Sequence, residues 1–185
     1  MLKRMLSDNP TGAVVWGPFS ALGASIALLA FAADRLHKWW MLNVYGIELR
    51  GKVEIAPFFD LVMAWNKGVS YGLFQAESAG GRVVLIGFAL GVVIGLGLWL
   101  ARVIHPLLAV ALGLIIGGAI GNVYDRLAYG AVADFFSFHA FGFYWYIFNI
   151  ADVWIVLGVA LIILESVYPR AFGPRAEGAK QQESE

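Results

Sequence analysis

The feature that most constrains this chain is a series of long apolar blocks. Four blocks of 17 to 20 residues, at 14–33, 83–101, 107–123 and 150–167, consist almost entirely of apolar and small residues. A segment of this length crosses the ~30 Å hydrocarbon layer of a bilayer as one helix. Hydrophobic residues make up 60% of the 185 residues and charged residues 14%, which leaves too little charge to cover a water-facing globule. The sequence therefore predicts an all-α polytopic membrane protein with four transmembrane helices.

The first block has a second interpretation, as the apolar region of a secretory signal peptide. Lys3 and Arg4 precede it, and Ala30-Phe31-Ala32 resembles a cleavage site. An uncharged stretch of 20 residues is longer than the roughly 7–15 residues of such a region. We therefore favour a retained membrane helix.

The remaining stretches predict one domain with a small outer sheet. Residues 1–168 form a single four-helix membrane domain in this interpretation, and the polar segment 169–185 is a disordered cytoplasmic tail. Segment 34–82 contains short β-forming runs separated by Gly and Pro, at 43–50, 52–56 and 58–65. We expect these runs to form a β-rich extracytoplasmic cradle between helices 1 and 2.

The distribution of positive charge gives only a weak indication of which side of the membrane holds the termini. Lys and Arg divide almost evenly between the two sides of a four-span topology. The first helix usually dominates orientation, however, and the short loop at 102–106 carries Arg102 and no acid. We therefore expect both termini in the cytoplasm.

The residue counts exclude several classes of protein. Thirteen Lys and Arg balance thirteen Asp and Glu, so no nucleic-acid partner of the basic-patch kind is expected. The absence of cysteine excludes disulfides, thiolate metal sites and a Cys nucleophile. The histidines lack the close spacing of a metal-binding pair, and they stand at His37, His105 and His139. We expect neither a metal nor a cofactor.

Two matched pairs of amide and acid side chains are the strongest candidates for chemistry. Asn122 and Asp125 are three residues apart at the end of the third block, and Asn149 and Asp152 repeat that spacing at the start of the fourth. An i, i+3 spacing places both members on one helix face. Two antiparallel spans bring the end of one beside the start of the next. We therefore expect Asp125 and Asp152 to approach each other at one membrane surface.

Two carboxylates at close range share one proton, because both cannot ionise cheaply. The ionised acid can then activate a water that attacks an amide, while the protonated acid assists the carbonyl oxygen. An alternative is that Asp125 pairs with Arg126 and that Asp152 caps a helix. A further alternative is a small proton- or cation-coupled transporter that uses the same acids, although such proteins favour acids near mid-bilayer.

The chain resembles the bacterial lipoprotein signal peptidase family, also called signal peptidase II. Five motifs carry this resemblance, and they are Asp34-x-x-x-Lys38, Asn66-x-Gly68, Gly118-x-x-x-Asn122-x-x-Asp125-Arg126, Val132-x-Asp134-Phe135 and Phe148-Asn149-x-Ala151-Asp152. The resemblance covers roughly residues 34–152. Where the family commonly continues its Asn-x-Gly motif with x-Ala-Phe, this chain has residues 69–72 as Val-Ser-Tyr-Gly.

The resemblance implies a monomeric aspartyl endopeptidase of the bacterial inner membrane, with its site at the periplasmic face. It implies cleavage of diacylglyceryl-modified prolipoproteins before the lipidated cysteine, contact with membrane lipids, and inhibition by globomycin. Carried onto this chain, Asp125 and Asp152 form the catalytic dyad. The site-shaping residues are Asn66, Gly68, Asn122, Arg126, Asn149 and Ala151, and the structural residues are Asp34, Lys38 and Asp134.

Overall fold

The computed structural model describes residues 16–68 and 79–168. The helices in these ranges are α1 (Ser20–Trp39), α2 (Ile47–Arg50), α3 (Ala79–Leu100), α4 (Pro106–Ala128) and α5 (Ile150–Val167). The strands are β1 (Val53–Ala56), β2 (Phe59–Asn66), β3 (Val132–Ala140) and β4 (Phe143–Tyr144). The start of the first apolar block, the departure from the family at 69–72 and the tail at 169–185 lie outside the described residues.

Three helices of the described ranges are long and apolar enough to cross a membrane. They are α3, α4 and α5. The helix α4 is the central one, because 67% of its apolar window is buried, compared with 6% for α3 and 17% for α5. The helix α1 has 20 residues and packs along α4, but it ends in the charged run Asp34 to Lys38.

Glycines on α4 bring the neighbouring helices into close contact. A side chain at Gly117 would collide with the carbonyl oxygen of Ala27 on α1, and one at Gly118 would collide with the carbonyl oxygen of Ala151 on α5. Small residues at such positions let membrane helices pack closely. This packing places the first turn of α5 beside the last two turns of α4.

The four strands form one antiparallel sheet in the order β1-β2-β3-β4. In the register of the central pair, Asn66 lies opposite Val132 and Asp60 lies opposite Ser137. The end of β2 is therefore beside the start of β3. The two strands predicted at 52–56 and 58–65 correspond to β1 and β2.

The strand predicted at 43–50 is helical instead. The chain leaves α1 through a π-helical turn at Trp40–Tyr45, reverses at Gly46 with φ 66°, and continues as α2. This path buries Met41 and Ile47 together against Ala133 and Phe135 of β3. Tertiary packing thus overrides the β propensity of the Val, Tyr and Ile side chains in this segment.

The sheet is also not confined to the segment between the first two helices. Half of its strands, β3 and β4, follow α4. The strand β3 is central in the sheet and is mostly buried, so its sequence is a nearly continuous apolar run without the alternation of a half-exposed strand.

Candidate active site

The candidate site lies where the ends of four elements meet. The C-terminal end of α1 and that of α4 supply charged residues, the start of β3 supplies Asp134, and the first turn of α5 supplies Asn149 and Asp152. The end of β2 adds Asn66. The sequence motifs single out most of these positions, and the structure brings them into one connected polar network.

Asp125 is buried and its carboxylate contacts two cations. Arg35 Nη1 lies 2.6 Å from its Oδ1, and Lys38 Nζ lies 2.6 Å from its Oδ2. Oδ2 also accepts a hydrogen bond of 3.2 Å from the backbone N–H of Ala133. The two cations and the backbone N–H occupy both carboxylate oxygens, and the backbone contact ties Asp125 to the start of β3.

Asp34 completes this buried ionic cluster. Lys38 Nζ lies 3.1 Å from Asp34 Oδ1, and the same oxygen accepts a hydrogen bond of 3.2 Å from the backbone N–H of Ala151. Ala151 is in the first turn of α5, where a negative charge is favourable for the helix dipole. Gly121 has no side chain to occupy the space that the Asp34 carboxylate takes. The cluster of two acids and two cations thus fixes α1, α4 and α5 to one another.

Asp152 has a different environment from Asp125. It forms a capping box with Asn149, in which each side chain accepts a 3.2 Å hydrogen bond from the other residue's backbone N–H. Its Oδ1 accepts a 2.8 Å hydrogen bond from Asn122 Nδ2. Because Asp152 also lines an open groove, its carboxylate can meet both the polar network and an external molecule.

Asp134 is a buried acid that is linked to Asp152 through Asn149, because both carboxyl groups accept hydrogen bonds from that residue. Asn149 Nδ2 donates a 2.5 Å hydrogen bond to Asp134 Oδ1, and Asn66 Nδ2 donates a 3.1 Å hydrogen bond to Asp134 Oδ2. Asn149 contacts both acids directly, since it is also the capping partner of Asp152. Asn149 therefore holds both carboxyl groups, that of Asp134 through its side-chain amide and that of Asp152 through its backbone N–H.

Burial raises the pKa of Asp134 from its ordinary value of 3.8 to about 7, and the negative charge of Asp152 raises it further in the same direction. Hydrogen bonds from Asn149 and Asn66 and the charge of Lys38 oppose this rise in pKa. Asp134 and Asp152 are thus neighbouring acids, the first buried with a raised pKa and the second at the open groove. Asp125 instead contacts two cations.

Sequence reasoning placed Asp134 among the structural residues. A signal was nevertheless present, because Asp134 interrupts an apolar run of nine residues that forms a buried central strand. Burying a carboxyl group in such a strand costs free energy, so the group is expected to be paired with another polar group or to have a function. The i, i+3 spacing of Asn122 and Asp125 drew attention to another acid, whose neighbours Arg35 and Lys38 are distant in sequence.

Asn122 and Arg126 connect separate parts of the polar network. Asn122 links Lys38 of the ionic cluster to Asn149, and Arg126 links α4 to the end of β2. Asn122 Oδ1 accepts hydrogen bonds from Lys38 Nζ at 3.3 Å and from Asn149 Nδ2 at 3.2 Å. Arg126 Nη2 donates a 2.8 Å hydrogen bond to the carbonyl oxygen of Gly68. The Gly68 N–H in turn donates to Asn66 Oδ1 at 3.0 Å. Arg126 thereby holds the end of β2 against α4. This contact also keeps Asn66 in position to donate its hydrogen bond to Asp134.

An apolar groove of about 570 Å³ leads away from Asp152. Aromatic side chains from the end of β3 and from residues 145–148 form one wall of the groove, and the outer face of α5 forms the other. The lining residues are Phe138, Trp145, Tyr146, Phe148, Val153, Val156 and Leu157. A groove with one carboxylate at its end and apolar walls suits an extended ligand whose reacting bond is polar and whose remainder is apolar.

A metal centre has no support in the described ranges, which contain no group of three or more His, Cys, Asp or Glu side chains arranged to hold an ion. The polar network can instead supply a base, a proton and fixed amide donors. These are the components of general acid–base catalysis at a carbonyl group.

Comparison with known proteins agrees with this chemistry. The family model described as "Signal peptidase (SPase) II" matches residues 26–168. A lipoprotein signal peptidase from Methylocella silvestris is 52% identical over 147 residues, which cover 80% of this chain and 86% of the relative. One from Beijerinckia indica is 48% identical over 160 residues, covering 85% of this chain and 96% of the relative.

Solved structures show the same fold. One, titled as a bacterial membrane enzyme determined by the in meso method at 2.3 Å, superposes with a TM-score of 0.70 at 25% identity. The match covers 85% of this chain and 94% of that one. A second, at 1.9 Å, gives a TM-score of 0.66 at 26% identity and covers 80% and 93% of the two chains. With its family model matched over most of its length, this chain belongs to the signal peptidase II family of membrane peptidases.

Proposed function

We propose that this peptidase removes the signal peptide of diacylglyceryl-modified prolipoproteins by cleaving before the lipidated cysteine, with Asp134 and Asp152 as its catalytic dyad. The observation that carries the assignment of the dyad is that Asn149 hydrogen-bonds the carboxyl groups of both Asp134 and Asp152, and that Asp152 lines an open groove. Burial, and the charge of Asp152, raise the pKa of Asp134 to about 7, which agrees with this assignment. The family membership and the names of the relatives support the reaction.

In the proposed reaction, Asp152 accepts a proton from a water molecule as the water oxygen attacks the scissile carbonyl carbon. Protonated Asp134 donates a hydrogen bond and then its proton to the carbonyl oxygen, which gives a neutral tetrahedral intermediate. Asp152 next delivers its proton to the leaving nitrogen, the C–N bond breaks, and the intermediate returns a proton to Asp134. No covalent enzyme intermediate forms, and the dyad ends in its starting protonation state.

We assign Asp125 a positioning role in place of the catalytic role that the motif suggested. Its Oδ2 accepts the N–H of Ala133, the residue directly before Asp134. Its contacts with Arg35 and Lys38, each at 2.6 Å, hold it in place. Asp125 therefore fixes the start of β3, so that the Asp134 carboxyl group stays beside Asn149. Asn122, Asn149 and Asn66 keep the two acids oriented, and Arg126 and Gly68 keep Asn66 in place.

The apolar groove offers a place for the substrate. Its walls extend from Asp152 along α5 to Leu157, which at about 1.5 Å of rise per residue is roughly one and a half turns into the apolar span. A lipid-bearing peptide held in the bilayer by its acyl chains could thus reach the dyad from the side. Burial of acyl CH₂ groups, at about 0.8 kcal/mol each, retains such a substrate without strong peptide contacts.

We further propose that α1 is a fourth span, that both termini are cytoplasmic and that the dyad lies at the periplasmic face of the inner membrane. The close packing of α1 along α4 supports a shared direction through the bilayer. The charged end of α1 meets the end of α4 and the start of α5, so the site lies at one edge of the helix bundle. The loop with Arg102 lies at the other edge.

Transport of protons or cations by these acids has less support. The acids are at the ends of α4 and α5 rather than at their centres, and transport sites favour the midplane. The family membership also favours a peptidase.

The decisive experiment offers the purified protein two matched precursors, one carrying the diacylglyceryl cysteine and one unmodified, in detergent with and without globomycin. A gel shift of the modified precursor that globomycin prevents is the expected result. A protein with intact structure that cleaves neither precursor, or that cleaves both equally well, would contradict the proposed specificity. Processing that stops with a chelator and returns with zinc would contradict the metal-free dyad.

A further inference from the structure

The hairpin of β3 and β4 ends in an exposed phenylalanine with an unfavourable backbone conformation. Ala140 pairs with Phe143, so Phe141 and Gly142 form a two-residue turn. Their φ angles are 52° and 79°. Positive φ at both positions is the type I′ turn, in which Asn-Gly is strongly preferred. Among the described residues, Phe141 is the one non-glycine residue with positive φ, and for a bulky side chain this conformation is strained.

Packing within the protein does not explain this residue. The Phe141 side chain is completely exposed, so its ring buries no area that could offset the strain. A turn that faced water would be better served by asparagine, which tolerates the left-handed region and is polar. The ring is therefore expected to contact something outside the chain.

The rest of the hairpin has the composition of a lipid-facing element. Residues 135–151 contain no Lys, Arg, Asp or Glu. Phe143 and Trp145 are also largely exposed, and their rings contact each other at 5.9 Å between centroids. The strand β4 is at the edge of the sheet, where water-facing proteins usually place charges to prevent aggregation. The charged contacts nearest to the hairpin are those of Asp60 with His139 at 2.9 Å and with Lys52 at 3.1 Å. Beyond them, residues 141–145 consist of aromatic residues and one glycine, which is typical of the membrane interface.

The position of the hairpin points to the same partner. It joins α4 to α5, two helices with the composition of membrane spans. Phe138 and Trp145 of the hairpin line the same groove as Val153 and Val156 of α5. The hairpin and the exposed side of a membrane helix thus share one groove, whose lining residues are apolar or aromatic apart from Asp152.

We propose that Phe141 inserts into the boundary between headgroups and acyl chains and anchors the β3–β4 hairpin on the bilayer. The occupant of this surface is the lipid bilayer itself. Because the hairpin has no Lys or Arg, and its histidine, His139, contacts Asp60 at 2.9 Å, insertion is driven by apolar burial and does not require anionic lipid. Insertion holds the aromatic wall of the groove at the level of the lipid. The proposal depends on the membrane location of the chain and not on the assignment of the dyad.

The test uses the natural absence of cysteine, which allows one label at a time. A nitroxide on the Ala140→Cys variant, with Phe141 intact, is compared with one on the Glu54→Cys variant in nanodiscs that hold one copy each. Collisions with oxygen, which concentrates in lipid, are measured against collisions with a water-soluble nickel chelate. We expect the label at residue 140 to be protected from nickel and accessible to oxygen, and the label at residue 54 to show the opposite.

The same label is then measured with Phe141→Asn added. This substitution suits the turn, so the thermal unfolding temperature in detergent should not fall, while nickel access at residue 140 should rise to the level at residue 54. Phe141→Gly, which also tolerates positive φ, provides a second variant. The proposal is overturned if the label at residue 140 is as open to nickel as the control with Phe141 intact. The proposal is also overturned if the substitutions at Phe141 leave the protection of residue 140 from nickel unchanged. The same holds if that protection requires anionic lipid, or if it is seen only in discs that hold two copies of the protein.

Discussion

At Asp134, burial and the charge of Asp152 raise the pKa of the carboxyl group from 3.8 to about 7. Asp125, nine residues earlier, is equally buried but contacts two cations. Two aspartates of the same strip of sequence thus have opposite electrostatic environments. Sequence spacing located both residues but could not separate their roles, because Arg35 and Lys38 come from a helix about 90 residues away.

Substitutions at the three aspartates should separate catalysis from structure. Asp134→Asn and Asp152→Asn each remove an ionisable group with little change in volume, and each should lower kcat by at least about 10²-fold while the protein still folds. Cleavage of the lipid-modified precursor and thermal unfolding in detergent are the measurements. Most of the activity remaining in either variant would contradict the dyad.

Asp125→Asn should act mainly on stability. It leaves Arg35 and Lys38 with Asp34 as their one remaining acid in the described cluster, and breaking a buried ion pair in this way costs about 3–5 kcal/mol. Chemical unfolding in detergent measures the loss. If this variant were fully stable yet inactive, Asp125 would have to be returned to the dyad.

The pH dependence of stability should carry the signature of Asp134. Its folded pKa, about 7, is raised above the ordinary value of 3.8, so the folded state holds a proton that the unfolded state releases. Its contribution to stability is therefore full below pH 3.8 and is lost as pH rises to about 7. Asp134→Asn should remove this slope and should be at least as stable as the parent at pH 8. Unfolding temperatures across this range, with Asp152→Asn as the comparison, test the expectation.

At the scale of elements, the apolar blocks predicted the three membrane-type helices closely, and the alternating runs predicted β1 and β2. The segment 43–50 was predicted as a strand because of its Val, Tyr and Ile residues, yet it is helical because Met41 and Ile47 pack on the same side against β3. The strand β3 was interpreted as part of a loop. Its continuous apolar sequence reflects burial in the centre of a sheet, and that burial depends on strands contributed from elsewhere in the chain.

The glycines of α4 allow close helix packing. Gly117→Ala should destabilise the protein, by about 1–3 kcal/mol, because the new methyl group would meet the backbone of Ala27 on α1. Gly91→Ala is the matched control, since α3 offers open space there and alanine is the better helix former. Unfolding in detergent should show a loss for the first variant and none for the second. An equal response of the two would mean that α1 does not pack on α4 as described.

At the scale of the whole molecule, one rim of the helix bundle carries the ionic cluster, the dyad, the groove and the sheet. This concentration follows from the connections, because α1, α4 and α5 all have their polar ends at that rim. The sequence indicated that the Asn and Asp pairs would meet at one membrane surface. It could not indicate that the sheet would be shared between two separate segments, since strand pairing over such distances depends on the packed helices.

The proposed orientation predicts which residues face the periplasm. In cells with a permeable outer membrane, a maleimide that cannot cross the inner membrane should label the Glu54→Cys variant and not the Arg102→Cys variant. Both side chains are exposed, and they lie at opposite ends of the bundle in the proposed topology. Labelling of residue 102 alone would show that the protein is inserted in the opposite direction.

The capping box at the start of α5 has a consequence for resistance to inhibitors. The side chains of Asn149 and Asp152 cap the first turn of α5 and also belong to the hydrogen-bond network of the proposed dyad, and Asn122 contacts both. A bacterium that altered these residues to escape a drug would weaken a helix as well as its enzyme. A compound anchored on these three side chains should therefore leave few viable routes for mutational escape.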